Sequence, residues 1–483
     1  MANFKSDPNY KDTHLFPLMK RKFGEEQRYI PLGMFKLRLP FVHVRLMPSI
    51  LVIGFFVVAL NVTSVVWMEQ TTPGLTYDEY IAMMLTFDMM IALMVMLGNP
   101  TYSGYITPGI PLVIAYVTSY ASTDDRIFAI TAVACELTLM YLILGLTGLA
   151  GKMMKKIPDW FKAGILYGAC FSALISVFSK TGSLSGKFIC GGAGCAAVVF
   201  CTYSLRINKA KEKSKVLAMI CTQAIIVGFI VACVLAIFTG EIQFEKIEWG
   251  LNSLIPLGSA MKKASIWCHG VPPAAFWAAA FPTAFVEYVI AFGDYVLADS
   301  LFAECNAVRD DEFIEYDANR NNVQHGIRNA FMALTVPSPT MGGPVWAGGC
   351  ISMVEQYKQG RHRMDSIYDG MLSLILGPTI CNFLKPVSSF FKPLGSLGSS
   401  LLYAVQGFSM GSVANSYVVG KIETGIAIAM GIAMNMQSNL VGLVVGVIAW
   451  LILGAEEDQR RKEAAALVGT SAQSENALNE NND

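Results

Sequence analysis

Charged residues are scarce in this chain of 483 residues. Asp, Glu, Lys and Arg make up 15% of the sequence, whereas ordinary soluble proteins carry about 25%. This scarcity excludes a typical soluble enzyme. The 36 basic and 36 acidic residues cancel to a formal net charge of zero, so no basic surplus indicates a nucleic-acid partner.

Motifs for metals, disulfides and catalysis are also missing. The five histidines have no zinc-like spacing, and the eleven cysteines include no CxxC pair. We therefore expect no cofactor and no metal site, and we expect the cysteines to act as small buried hydrophobic residues. No paired catalytic motif, phosphate-binding loop or sizeable soluble domain is present, so we do not expect an enzyme.

Apolar residues, by contrast, make up 54% of the chain. They form runs of roughly 18 to 25 residues, long enough to cross a bilayer of about 30 Å as helices. The pattern predicts an all-α polytopic membrane protein. Segments 107–120 and 322–336 are short or polar for full spans, and 339–354 is rich in Gly and Pro. The fourteen predicted segments are 48–68, 79–98, 107–120, 127–150, 159–179, 187–205, 215–239, 272–301, 322–336, 339–354, 364–384, 394–414, 418–435 and 437–454.

The predicted segments divide into two halves of seven. An odd number of spans inverts the second half relative to the first, which is typical of inverted-repeat secondary transporters. The predicted domains are a cytoplasmic N-terminal segment (1–47), a first repeat (48–239), an extracytoplasmic connection (240–271), a second repeat (272–454) and a cytoplasmic, partly disordered tail (455–483).

Basic clusters set the predicted orientation, because Lys and Arg near span ends are retained in the cytoplasm. With the N-terminus inside, the basic clusters at 152–156, 206–215, 358–363 and 460–462 all fall on one side. We therefore expect an integral protein of a bacterial inner membrane with both termini cytoplasmic. The charged loop 304–322 is interpreted as a solvated cytoplasmic linker.

Prolines interrupt the third and tenth segments at matching places in the two halves. The stretches 104–111 (GYITPGIP) and 336–344 (VPSPTMGGP) cannot be helical throughout, since each proline removes a donor and clashes with the preceding turn. Each stretch can be an extended segment that leads into a half-helix. Irregular backbone persists in a membrane only where protein covers it or it lines a wet cavity. The free amides would then be available to an anion or a polar solute.

Two carboxylates lie inside one predicted span and are costly there, which makes them functional candidates. Glu287 and Asp294 are seven residues apart and share a helix face, and Gly293 permits a close approach. Reversible protonation of such a group could couple proton movement to transport. The alternative is that the two satisfy backbone donors or each other. Three other acids in or near spans receive structural roles: Asp88, Glu136 and Glu423.

Several short motifs resemble the nucleobase–ascorbate transporters, the family of uracil and xanthine permeases. Glu287 followed by Phe292-Gly293-Asp294-Tyr295 resembles that family's eighth-helix motif. The segments 326–329 (GIRN) and 336–342 (VPSPTMG) are similar to its approach to the tenth helix. The segment 157–164 (IPDWFKAG) with Gly168 resembles a pattern shared with the sulfate permease (SulP) relatives. The resemblance extends over residues 48 to 454.

The resemblance implies a core domain of segments 1–4 and 8–11 and a gate domain of segments 5–7 and 12–14. It also implies elevator-type alternating access and homodimers formed through the gate domain. Substrate would lie between the half-helices and the eighth-segment carboxylate, with cation coupling assigned to Glu287 and Asp294. The implied substrate-binding residues are Glu287, Thr340, Met341, Gly342, Gly343, Ile106 and Thr107.

Two departures from the family pattern keep the substrate open. The carboxylate expected three residues before the Gly-Asp-Tyr run is replaced by Ile290, and the base-reading position of the tenth helix corresponds to Gly343. No Lys or Arg lies beside Thr340 in the sequence. We predict a H⁺- or Na⁺-coupled symporter of a small, polar, nucleobase-like solute. The alternatives are a SulP-like transporter or exchanger of a small inorganic or organic anion, and an uncoupled channel.

Overall fold

The computed structural model describes residues 15–453, apart from 215–216, 218–220 and 222–223. The predicted tail 455–483 lies outside the described residues, as do the first fourteen residues of the predicted N-terminal segment. The described chain is mainly helical. The helices are α1 Pro48–Thr71, α2 Tyr77–Met96, α3 Ile110–Thr118, α4 Thr123–Thr147, α5 Ala150–Lys156, α6 Asp159–Phe178, α7 Phe188–Tyr203, α8 Leu205–Lys213, α9 Ala224–Thr239, α10 Pro256–Ala264, α11 Ala274–Val308, α12 Ala318–Thr335, α13 Ala347–Lys358, α14 Ile367–Asn382, α15 Lys385–Phe391, α16 Gly395–Tyr417, α17 Lys421–Met436 and α18 Asn439–Leu453.

Four helices of the described chain are long and apolar enough to cross a membrane on length and composition: α2, α4, α6 and α11. Three shorter helices, α7, α9 and α18, are also apolar. The count of fourteen spans stays a prediction. The predicted span 272–301 corresponds to α11, which continues as a helix to Val308.

Local signals explain where several helices begin and end. The Thr76 hydroxyl accepts from the Glu79 amide at 3.3 Å and the Glu79 carboxylate accepts from the Thr76 amide at 2.6 Å, which caps α2 at both donors. Ser366 and Asp369 form the same arrangement at α14. Helix α4 ends at Gly148, whose φ of 66° favours glycine.

Helix packing falls into two groups. Helix α4 packs extensively against α11 and α12, and α1 packs against α14. In the second group, α6 packs against α16 and α17, and α7 against α9. Contacts between α1 and α16 join the two groups. The first group is drawn from predicted segments 1–4 and 8–11 and the second from segments 5–7 and 12–14.

The structure contradicts the interpretation of residues 304–322 as a solvated linker. Arg309, Asp311 and Glu312 of this loop are almost completely buried. Asp311 accepts from Arg309 at 2.6 Å and from Arg21 of the N-terminal segment at 2.7 Å. The charges are buried because they neutralise one another, and local sequence does not reveal that pairing.

The N-terminal segment folds back onto this loop. Residues 30–32 (β1) and 35–37 (β2) form an antiparallel hairpin, and Arg21 also reaches Asp365 before α14 at 3.0 Å. Burial alone would raise the pKa of Asp365, but the guanidinium groups of Arg21 and Arg361 outweigh burial and hold its pKa below the usual range. We call Arg21, Arg309, Asp311, Arg361 and Asp365 the loop cluster.

Candidate functional site

Two extended segments from the two halves of the sequence meet as a short antiparallel pair. They are residues 104–105 (β3) and 342–343 (β4), which lie within the proline-interrupted stretches. We call residues 101–109 and 338–346 together the crossing. The paired residues are Gly104 with Gly343 and Tyr105 with Gly342.

Backbone hydrogen bonds and small residues hold the crossing together. The Ile106 amide donates to the Met341 carbonyl at 3.0 Å, and the Trp346 amide donates to the Tyr102 carbonyl at 2.7 Å. A methyl group at Gly104 would lie 2.8 Å from Cβ of Trp346. Only glycine fits at position 104, because any side chain there would collide with Trp346.

A half-helix begins directly after each strand of the crossing. Helix α3 starts at Ile110, with Pro111 in its first turn, and α13 starts at Ala347 after Trp346. Proline suits a first turn because the missing amide hydrogen has no helical partner there. The positive ends of two helices therefore lie at the crossing.

A partly open cavity lies beside the crossing, with an empty volume of about 480 Å³ that includes space open to solvent. Its walls come from α1, α2, α16 and the crossing itself, and they are mostly apolar and aromatic. This composition, with a few polar groups, is typical of small-molecule sites. The lining residues are Val57, Asn61, Trp67, Asp88, Ile91, Tyr102, Gly104, Tyr105, Thr107, Trp346 and Leu402.

Asp88 of α2 is the charged residue of this lining. Its side chain is buried and accepts two hydrogen bonds, from the Asn61 amide at 2.8 Å and from the Tyr105 hydroxyl at 3.3 Å. A structural role is the prediction for Asp88 from the sequence. The structure places it on the cavity wall, with one donor from α1 and one from the crossing.

Glu287 of α11 lies against the start of α3. A methyl group added to Gly109, the residue before α3, would fall 1.8 Å from Oε1 of Glu287. Glu287 is fully buried, and neither of its carboxyl oxygens has a hydrogen-bond partner among the described residues. This contradicts the alternative interpretation, in which Glu287 would pair with a backbone donor or with Asp294.

The second acid of this pair has different surroundings. Asp294 is partly buried on α11 and is not part of the cavity lining. Gly293 is exposed, and a methyl group added to it would have no described atom within 4 Å. No described helix therefore approaches Gly293, whereas Gly109 makes such a contact with Glu287. The close approach of a ligand at Gly293 stays a prediction.

Arg328 of α12 corrects a further expectation. The sequence shows no basic residue near Thr340, but the Arg328 guanidinium donates to the Thr340 carbonyl at 3.2 Å. Its Cζ atom lies 5.6 Å from the ring centroid of Tyr105. Arg328 is buried, and its Nε and Nη2 atoms have no hydrogen-bond partner among the described residues. Arg328 is therefore a buried cation that contacts both segments of the crossing.

Other polar side chains of α12 also support irregular backbone. The Asn329 amide accepts from the Gly342 amide at 2.7 Å and donates to its carbonyl at 3.4 Å. Gln324 and Arg320 donate to the Leu97 and Gly98 carbonyls at the end of α2. Segment 322–336 is polar for a full span because its side chains bind buried backbone groups that have no helical hydrogen-bond partner.

Comparison with known proteins identifies the fold. No protein-family model and no curated protein matches the chain. The transmembrane domain of the cyanobacterium bicarbonate transporter BicA is similar in structure, with a TM-score of 0.53 and 14% identity over 83% of this chain and 97% of that domain. The chain has the fold of a transporter's transmembrane domain.

The murine anion transporter Slc26a9 in its inward-facing state also matches, with a TM-score of 0.48 and 13% identity over 85% of this chain and 69% of that protein. Both matched structures are described as transporters. Structural likeness at this identity concerns the fold alone. It gives no specific support to the nucleobase family.

The crossing brings together most of the residues that the resemblance implied. Thr107 lines the cavity, and Ile106 and Met341 are joined by the backbone bond of the crossing. Thr340, Gly342 and Gly343 are buried within the crossing but do not line the cavity. Glu287 lies at the start of α3. The assignment of these residues to substrate remains a prediction.

Helices α1 and α2 supply a cavity wall that the sequence does not predict. Neither Asn61 nor Trp67 is among the predicted site residues, although both line the cavity. The available signal was a pair of polar residues, Asn61 and Asp88, in two consecutive apolar spans. Such residues usually face protein or a cavity rather than lipid.

Proposed function

We propose that the chain is a secondary membrane transporter of a small anion. The single observation that carries this proposal is the arrangement of positive charge at the crossing. The positive ends of α3 and α13 lie beside the cavity, and Arg328 contacts the residues of the crossing. Both features favour negative charge without a base-reading side chain at Gly343. The fold shared with a bicarbonate transporter supports the same choice.

The nucleobase-like solute of the main sequence prediction remains a second candidate because of the aromatic wall. Trp67, Tyr102 and Trp346 line the cavity, and Tyr102 meets Trp346 edge to face at 5.0 Å. Aromatic faces stack on planar solutes, and the Asn61 amide could read a base edge. The two candidates require different ligands and can be separated directly.

The transport cycle in this proposal uses the two packing groups of helices. The group that holds the crossing would move against the group of α6, α7, α9, α16 and α17 and carry the site across the membrane. Homodimers would form through the second group. Coupling to H⁺ or Na⁺ through Glu287 and Asp294 belongs to the same proposal, as does the inner-membrane location with both termini cytoplasmic.

A ligand screen on the purified full chain tests the anion assignment. A ligand that binds only the folded protein raises the thermal midpoint, so we expect bicarbonate, chloride, sulfate or oxalate to raise it and uracil or xanthine to have no effect. The opposite result would favour the nucleobase candidate. An uncoupled channel would be indicated by gradient-independent conductance of reconstituted protein.

Substitution of Arg328 tests the source of anion affinity. We expect Arg328→Gln to weaken binding of the stabilising anion by about tenfold or more, since a charge-assisted bond or a nearby charge contributes on that scale. Arg328→Lys should retain part of the affinity. Arg363→Gln removes an exposed arginine and should change nothing. Equal anion affinity in Arg328→Gln and Arg363→Gln would contradict the role of Arg328.

A further inference from the structure

Asp88 places a carboxylate in the lining of the cavity for which an anion is proposed. It is the charged residue among those that line the cavity, and its carboxylate is fixed by Asn61 and Tyr105. A buried, ionised carboxylate and an anion bound in the same cavity repel each other. The lining therefore contains a group that opposes the ligand proposed for it.

Tyr105 links this acid to the buried cation. Its hydroxyl donates to Asp88, and its ring contacts the Arg328 guanidinium. No direct ion pair between Asp88 and Arg328 is found among the described contacts. The positive charge of Arg328 would thus have to balance both the Asp88 carboxylate and the anion proposed to bind in the cavity.

The other elements packed against α2 bring no further charge to Asp88. Helix α1 contributes the neutral Asn61, and α14 contributes the neutral Asn382. Lys263 of α10 pairs with Glu79 at the start of α2, at 2.8 Å, more than two helical turns from Asp88. The titratable groups that face Asp88 among the described residues are therefore Arg328 and the two lining tyrosines, Tyr102 and Tyr105.

We propose that Asp88 is the proton-binding residue that makes anion entry depend on protonation. This inference rests on the proposed anion transport. A carboxylate oxygen of Asp88 takes a proton from water on the side from which the anion enters, so that Arg328 balances the anion alone. Proton and anion leave together on the other side, which makes one proton per anion the elementary stoichiometry. Asp88 thus supplements or replaces Glu287 and Asp294 in coupling.

The pH dependence of anion affinity is the first test. Binding that takes up one proton weakens by up to tenfold per pH unit where Asp88 must be protonated from its ionised form. We expect this slope for chloride or sulfate with wild-type protein and a flat profile with Asp88→Asn. Glu136→Gln, which removes a half-buried acid of α4 outside the cavity lining, is the matched control and should keep the wild-type slope.

Proton uptake by the wild-type protein is the second test and does not depend on a variant that folds. Titration of weakly buffered, purified protein with chloride or sulfate should consume about one proton per bound anion. Binding without proton uptake, or an Asp88→Asn profile as steep as wild type, would overturn this inference and leave anion transport intact. No binding and no flux of any anion in wild type would overturn the proposed function as well.

Discussion

In the crossing, the side chain of a single residue can hydrogen-bond to backbone groups that lie outside any helix. Asn329 makes both bonds that a neighbouring strand would make to Gly342, one accepted and one donated. Asn329 is fully buried, so water cannot replace either bond. The Asn329 side chain thus acts toward Gly342 as a further strand would, in addition to the pairing with Tyr105. This explains why a polar residue lies in the protein interior.

We expect Asn329→Ala to destabilise the protein by about 3 kcal/mol, because it leaves a buried donor and a buried acceptor of Gly342 without partners. The measurement is the thermal midpoint in detergent. Asn319→Ala on the same helix removes an exposed amide and serves as the control. Midpoints that fall equally in the two variants would show that the Gly342 bonds are not responsible.

Helices of the second packing group approach one another at glycines. On α17, a methyl group at Gly431 would lie 2.8 Å from the Gly168 backbone amide of α6. Backbone atoms in a packed helix cannot move aside as a flexible side-chain end can. The spacing of α6 and α17 is therefore set by Gly431, in the manner of small-residue interfaces between membrane helices.

Gly431→Ala should push α6 and α17 apart and cost about 2 kcal/mol, the usual scale of overpacking. Gly425→Ala on the same helix points into open space and should be neutral or slightly stabilising, because alanine favours helix more than glycine does. The check is the thermal midpoint together with elution as a single species. Equal stability of the two variants would argue against a tight α6–α17 contact.

At the scale of the whole molecule, the loop cluster joins parts of the chain that are distant in sequence. Arg21 connects the N-terminal segment to Asp311 between α11 and α12 and to Asp365 between α13 and α14. These three parts are far apart in sequence, and the ion pairs join them. Buried charges that lose a partner are costly, so the cluster should act as one unit.

Arg21→Gln is expected to destabilise the protein by about 2 kcal/mol at neutral pH, less than for an isolated buried pair because Arg309 and Arg361 still face the acids. The pKa of Asp365 is lowered on folding, so its contribution is present at neutral pH and is lost as pH falls below about 4. The difference in thermal midpoint between wild type and Arg21→Gln should therefore shrink in acid. Arg28→Gln, at an exposed pair, is the control.

Apolar length and proline placement gave reliable information about helices. The predicted segments 159–179 and 79–98 correspond closely to α6 and α2, and both proline-interrupted stretches are extended before a half-helix. Charge, by contrast, was misleading in loop 304–322 and in α12. In both places polar residues are buried against partners distant in sequence, and their exposure cannot be judged from local composition.

The sequence by itself determined that this is a chain of apolar helices with two matched interruptions, because hydrophobic length and backbone restrictions of Gly and Pro are local properties. Only the tertiary structure decided which residues form the site. Helix α2 is apolar on nearly all sides, so no periodic pattern indicates that Asp88 faces a cavity. Arg328 lies 240 positions further along the chain, and only the crossing of the two halves brings it to Tyr105.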